Sequence, residues 1–220
     1  ESIGVLRRYT DLATLLDLLQ RKAITLLPPS TWDDRNDRLM METYREARGL
    51  KTLLALCLSS RSETYHHWKV FTQSSNGVCI HFHRKNFINT MKKSGIEVKA
   101  MKYLKFDELD SEKIQTVELP FLKRLAFRDE GEVRAIYENK NAERALKQVA
   151  IDLSIIERIT LNPWMPKSVV ESLGSIMNSL TNGTPIKISQ STLIESPTWR
   201  KFAAKYEKPE LVQPLFRQPL

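Results

Sequence analysis

An α+β fold in a single mixed domain follows from three features of the sequence. Short apolar strands and amphipathic helices interleave along the chain, no segment repeats, and no composition break marks a linker. At 220 residues, 41% of them apolar, the chain can bury a core without disulfide or metal staples. The domain is expected to span residues 1–200. Residues 201–220, with Pro209, Pro214 and Pro219 and no clear period, read as a loosely held C-terminal tail.

Each element has a local reason. Val5 to Tyr9 reads as a strand. The leucines at 12, 15, 16, 18 and 19 have helical spacing, with Thr10 or Asp11 as N-cap, so a helix runs to Lys22. Ala23 to Leu27 is a strand stopped by Pro28-Pro29, which lack backbone donors. The polar run Ser30 to Asp37 is a loop and helix cap, Arg38 to Arg48 a helix, and Leu54 to Ser59 a strand. Glu63 to Phe71 forms a short helix. Asn76-Gly77 is a turn before Val78 to Phe82, whose alternation predicts a strand buried on one face only.

Lys85 to Lys93 is a basic helix and Val98 to Tyr103 a strand. Asp110 to Ala126 reads as a long amphipathic helix kinked at Pro120. Val133 to Tyr137, Val149 to Leu153 and Ile156 to Leu161 are strands. A helix from Lys167 to Leu180 begins behind Pro166 and ends at Asn182-Gly183, and Ile186 to Ser189 is the last strand.

Thirty-four basic against 26 acidic residues leave a net charge of +8, which favours an anionic partner such as RNA, DNA or a nucleotide. Two cysteines, Cys57 and Cys79, suit a reducing compartment, so a cytoplasmic protein is expected. No apolar run is long enough to span a bilayer, and no membrane partner is expected. With seven glycines and no Gly-x-Gly-x-x-Gly, Walker or Gly-x-Ser-x-Gly pattern, redox, kinase and esterase readings drop out.

Two constellations have metal-compatible donors. Cys79, His81 and His83 would line one face of a strand, but they lack the paired cysteines of structural zinc sites. Asp33, Asp34 and Asp37 would suit magnesium in a nuclease, yet acids here equally cap a helix. No metal is assigned. A metal-dependent nuclease using these aspartates and a non-catalytic nucleic-acid-binding module are the alternative functions.

Four stretches, in order and spacing, resemble a bacterial family of domains of unknown function. They are Arg8-Tyr9 with Leu26 to Asp34; His67 to Phe71 with Asn76 to Phe82; Lys123 through Phe127 to Glu130-Gly131-Glu132-Val133-Arg134; and Ile156 to Pro163. This chain departs at Asp33-Asp34-Arg35, where the family usually shows Asn-Asp-Pro. The layout is also similar to that of mono-ADP-ribosyltransferases of the Arg-Ser-Glu type. The counterparts are Arg7 or Arg8 on the first strand, the run Ser59-Ser60, and Glu130-x-Glu132.

That resemblance implies a split β-sheet flanked by helices, with NAD as cosubstrate and glycosyl transfer as the chemistry. Breaking the nicotinamide–ribose bond builds positive charge that Glu132 would stabilise, while Glu130 would deprotonate the acceptor. Arg8 or Arg7 would hold the pyrophosphate; in a strand they face opposite sides, so only one can point into the cleft. Ser59 would position the ribose or orient Glu132, and Tyr9, Trp68 or Phe71 would stack on nicotinamide or adenine. Against this, paired glutamates before a strand are commonly solvated, Ser59-Ser60 could simply end a strand, Trp68 could be core, and Arg134 suits a carboxylate partner. Lys92, Lys93, Lys123, Arg124 and Arg128 are expected to form a basic rim that steers nucleic acid. The acceptor would be RNA or DNA, or a protein. A toxin or phage-defence effector of this kind would bring an antitoxin or chaperone partner.

Overall fold

The computed structural model describes residues 4–72, 74–108, 113–181 and 183–206. β1 (Val5–Asp11) runs directly into α1 (Leu12–Arg21), because the Asp11 side chain accepts a hydrogen bond from the backbone N–H of Thr14 at 2.7 Å. β2 (Ala23–Leu26) ends at the two prolines, and a short 3-10 turn (Pro29–Thr31) leads to α2 (Arg35–Ala47). That helix starts three residues earlier than expected, because Asp34 caps it by accepting from the N–H groups of Asn36 and Asp37.

β3 (Thr52–Ser59), α3 (Tyr65–Phe71), β4 (Gly77–His83) and α4 (Arg84–Lys93) follow as expected. The expected strand at Val98 to Tyr103 is instead two strands of different sheets, β5 (Glu97–Ala100) and β6 (Lys102–Leu104).

The expected long helix at Asp110 to Ala126 is not formed. Its start lies partly outside the described residues; the rest is a 3-10 segment (Thr116–Phe121), β7 (Leu122–Arg124) and a second 3-10 segment (Leu125–Glu130). Pro120 removes a donor in mid-segment, and Phe121 and Leu122 turn inward to the core.

β8 (Glu132–Asn139), β9 (Lys147–Ala150) and β10 (Ile156–Leu161) come next. β9 is shorter than the expected Val149 to Leu153 strand, because Asp152 caps a 3-10 turn at Leu153–Ile155. α5 (Lys167–Leu180) and β11 (Lys187–Gln190) are as read. A further helix, α6 (Pro197–Ala203), is capped by Ser196 and continues as a 3-10 turn to Tyr206, so the start of the expected tail is helical. Pro209, Pro214 and Pro219 lie outside the described residues, as does Asn182.

Seven strands form one sheet in the order β11-β10-β4-β1-β3-β8-β5, antiparallel except for the β10–β11 pair. Two small sheets, β2-β9 and β6-β7, flank it. The large sheet is split along its centre. β1 pairs with β4 over its whole length, but registers with β3 only at Arg7↔Ser59. The α+β class and the split, helix-flanked sheet are thus both present.

One face carries Leu6, Leu56, Leu58, Ile80, Phe82, Val133 and Ala135 against α1, α4 and α5, and holds the main core. The opposite face is covered on the β3–β8 side by α2, through Met41, Tyr44, Leu53, Ala55 and Ile136. On the β1 side it is covered by α3. β4 is therefore buried on both faces, Cys79 and His81 included, rather than on one.

Candidate active site

The split in the sheet places three predicted residues in one row. Arg7 pairs with Ser59 across β1 and β3, and Ser59 pairs with Glu132 across β3 and β8. Directly paired residues on neighbouring strands share a face. All three line a cavity of about 450 Å³, together with Tyr9, Trp32, Asp33, Cys57, Phe71, Lys123, Phe127 and Glu130. That volume lies in the range of small-molecule sites.

Glu132 is 5% exposed and its charge is fully met. Oε1 accepts from Arg134 Nε at 2.9 Å, and Oε2 from Lys123 Nζ at 2.9 Å. Burial opposes the carboxylate most strongly, but Arg134 and Lys123 outweigh it and hold Glu132 below the usual carboxylate range. Arg134, with no exposed surface, also grips Asp37 through two bonds of 3.0 and 2.7 Å and donates to Pro120 O at 2.9 Å. Its guanidinium lies 4.6 Å from the Trp32 ring centre. The expectation that Arg134 pairs with a carboxylate is met twice.

Glu130 reaches the same place by another route. Gly131, at φ +51°, adopts the left-handed conformation between the two glutamates, so the segment is a turn and not the extended strand start that would put both on one face by alternation. Lys123 gathers them, with Nζ 2.5 Å from Glu130 Oε2. Glu130 is shifted the opposite way from Glu132. Burial, with Glu132 and Asp37 nearby, raises it despite Lys123. The site thus holds two carboxylates whose proton affinities are pushed in opposite directions, Glu132 toward the charged form and Glu130 toward the neutral form.

Ser59 ties the turn to β3. Its hydroxyl donates to Glu130 O at 2.6 Å and accepts from Arg61 N at 3.1 Å. Its hydrogen is committed to the backbone, so it orients the glutamate turn. Ser60 adds bonds of 2.8 Å to Gly131 O from both N–H and hydroxyl.

Other predicted residues fall elsewhere. Arg7, not Arg8, lines the cavity and donates from Nη1 to Arg61 O at 2.7 Å. The pleat turns Arg8 to the other side, where burial lowers it to about 10. Trp68 does not meet the cavity. It is fully buried, its Nε1 donates to Glu63 at 2.6 Å, and it packs edge-on against Tyr9 at 5.2 Å, so it supports Tyr9 from behind. Tyr9 and Phe71 do line the cavity.

Lys123 is no rim residue: 11% exposed, it is the counter-ion of the glutamates. Lys92 and Lys93 sit on α4, which packs through Phe87 and Met91 against the opposite face of the sheet, away from the cavity. Arg124 and Arg128 lie on the segment between Lys123 and Glu130 but do not line the cavity; they are 3.8 Å from Asp34 and Asp129.

The metal constellations do not assemble. Asp34 is a helix cap and the Asp37 charge is spent on Arg134. His81 Nε2 is 3.0 Å from Thr160 Oγ1, and among the described residues no group of three ligating side chains could hold a metal. Both cysteines are free thiols. No helix among the described residues is long and apolar enough to cross a membrane.

Sequence reasoning missed four contributors. In sequence Asp37 reads as either a magnesium ligand or part of a helix cap, and Trp32 only as part of a motif; Phe127 closes the cavity over Lys123 at 4.9 Å. His67 is buried and links strand to turn. A carbonyl can only accept, so its Nε2 carries the hydrogen donated to Asp129 O at 3.2 Å, leaving Nδ1 to face the Tyr9 hydroxyl at 3.5 Å. The signal available for His67 was its place in the His67-Trp68 motif.

No protein-family model matches the chain, and no curated protein matches it in sequence. Among solved structures the chain is similar to DarT of Thermus sp. 2.9 in complex with NAD+, at 9% identity and a TM-score of 0.47, covering 87% of this chain and 96% of that one. It is also similar to the same protein in complex with ADP-ribosylated ssDNA, at 9% identity and a TM-score of 0.45, over 86% and 94% of the two chains.

Proposed function

We propose that this chain transfers ADP-ribose from NAD to a nucleic-acid acceptor. The observation that carries the reading is the row Arg7–Ser59–Glu132 across β1, β3 and β8, on the wall of one cavity. It is the arrangement implied by the resemblance to Arg-Ser-Glu transferases.

NAD supplies an activated glycosidic bond. As that bond breaks, nicotinamide departs neutral with the bonding pair and the ribose becomes cationic. Glu132, held ionised, offers a fixed negative charge to that cation. The acceptor nucleophile forms the new bond to ribose, and Glu130 takes its proton. Arg7 is placed to hold a phosphate oxygen, and Tyr9, Phe71 and Trp32 offer ring faces to nicotinamide or adenine. Nucleic acid is favoured as acceptor by the net charge of +8 and by Arg124 and Arg128 on the segment between Lys123 and Glu130. Such an activity suits a toxin or phage-defence effector checked by a neutralising partner.

The test is nicotinamide release from NAD with RNA, single-stranded DNA and protein offered as acceptors. Glu132→Gln is expected to reduce turnover at least a hundredfold. Release that persists unchanged in that variant overturns the assignment.

A further inference from the structure

α6 and the 3-10 turn that continues it run from Pro197 to Tyr206 and bury no residue. Trp199 and Tyr206 are 71% and 73% exposed, and Phe202 is 48% exposed. Steps of three and four residues set the three rings on one stripe. The rings touch in series. Trp199 and Phe202 stack at 5.6 Å, and Phe202 meets Tyr206 at 5.3 Å. A contiguous exposed row of this kind marks a contact surface. Arg200, Lys201 and Lys205 stand among the rings, and the segment from Ser196 to Tyr206 holds no acidic residue.

The row connects to the candidate active site. A second cavity of about 420 Å³ lies where α6 meets the turn ahead of α5, with Trp164, Lys167, Ser191 and Arg200 on its wall. The Ser191 hydroxyl donates to Glu63, the carboxylate that also holds Trp68 Nε1, so this cavity is tied to α3. On the outer side of α3, Tyr65 meets Trp164 edge-on at 5.4 Å, and Lys69 Nζ sits 4.0 Å from the Trp164 ring centre. The last turn of α3 supplies Val70 and Phe71 to the wall of the first cavity. One seven-residue helix, about 10 Å long, therefore bridges the two cavities. Arg200 is engaged by Glu195, whereas among the described residues no carboxylate forms an ion pair with Lys69, Lys167, Lys201 or Lys205.

We propose that this track, from Phe71 over Trp164 to α6, binds single-stranded nucleic acid, with bases stacked on the exposed rings and phosphates held by the lysines between them. Rings interleaved with cations suit an unpaired strand, because every base offers a π-face and every linkage a negative charge. A duplex keeps its base faces inside its own stack and cannot use the rings. An apolar protein partner would cover the rings but set the four lysines against an uncharged surface. The track deepens the transferase reading and rests on it for its purpose, which is to lead the acceptor to the first cavity. Binding itself needs no NAD.

Fluorescence anisotropy with labelled oligo-dT and oligo-U, in the absence of NAD, tests the track. The Trp199→Ala/Phe202→Ala variant alters exposed side chains only and is expected to weaken binding at least tenfold, with its salt dependence kept. The Lys201→Gln/Lys205→Gln variant is expected to weaken binding and to lower the slope of log K against log salt by about two. Lys51→Gln, at an exposed site before β3, is the charge control and should leave binding unchanged. A duplex of equal length should bind no differently to the ring variant and to wild type. Oligonucleotide binding of equal strength in wild type and the ring variant overturns the proposal and leaves the face to a protein partner. Nicotinamide release is scored separately. Ring-dependent binding without release from NAD keeps the track and removes the transferase reading, and release with ring-independent binding does the reverse.

Discussion

Arg134 and Asp37 form a two-pronged ion pair sealed from solvent, although 97 residues separate them in the chain. The pair fixes α2 to β8. Because the same guanidinium holds Glu132 Oε1, it also sets where that carboxylate points.

Removing one member leaves a buried charge without its main partner. Asp37→Asn is expected to cost about 3–5 kcal/mol of stability. Arg134→Met alone should cost a similar amount, while the Asp37→Leu/Arg134→Met double variant should recover part of the loss by replacing ions with apolar packing. Urea midpoints of the four proteins measure this. Losses that simply add would show that the two side chains are not coupled.

Glu132 and Glu130 impose opposite pH dependences. Glu132 is depressed by Arg134 and Lys123 against the pull of burial. A carboxylate lowered by folding stabilises above its unfolded pKa of about 4.3, and that contribution is lost as pH falls through the folded value. Glu130 is raised by burial, so its contribution turns unfavourable as pH rises above about 4.3. Glu132→Gln should therefore make the gain in stability between acid and neutral pH shallower, and Glu130→Gln should make it steeper. Thermal melts across that range decide the signs.

Gly131 is held at φ +51°, and a Cβ there would come 2.4 Å from Arg61 Cγ. Gly131→Ala should cost about 1–2 kcal/mol from the left-handed backbone alone. It should also displace the Arg61 stem that packs beside the glutamate turn. A calorimetric melt within error of wild type would show that the turn adapts freely.

The parts of this fold that were legible in sequence are those set by local pattern. The leucine period of α1, the cap at Asp11 and the alternation of β4 each needed only a few neighbours in the chain. The pleat also stated that Arg7 and Arg8 cannot both face one cleft, but choosing between them required knowing which face α1 covers. Long-range burial was not legible. Lys123 reads as part of a basic rim, but two glutamates and Phe127 close round it, and Asp37 reads as a metal ligand or a helix cap, but Arg134 reaches it from β8. The mistaken helix at Asp110 to Ala126 shows the same limit. Its apolar spacing was real, but it served a 3-10 segment and a short strand that bury Phe121 and Leu122.

Lys123 tests whether the site's electrostatics work as a unit. Three carboxylates, Asp37, Glu130 and Glu132, share two cations, and Lys123 is within 4 Å of all three. Take the ammonium away and the repulsion between Glu130 and Glu132 is no longer shielded, so both carboxylates should hold their protons to higher pH. In Lys123→Met the acid limb of kcat/KM for nicotinamide release should therefore move upward in pH, with a lower plateau. Lys123→Arg keeps the charge on a bulkier fork and should restore the position of the limb while recovering only part of the plateau. A structural role for the lysine would lower stability in both variants without moving the limb, so an unshifted profile in Lys123→Met would separate the lysine from the chemistry.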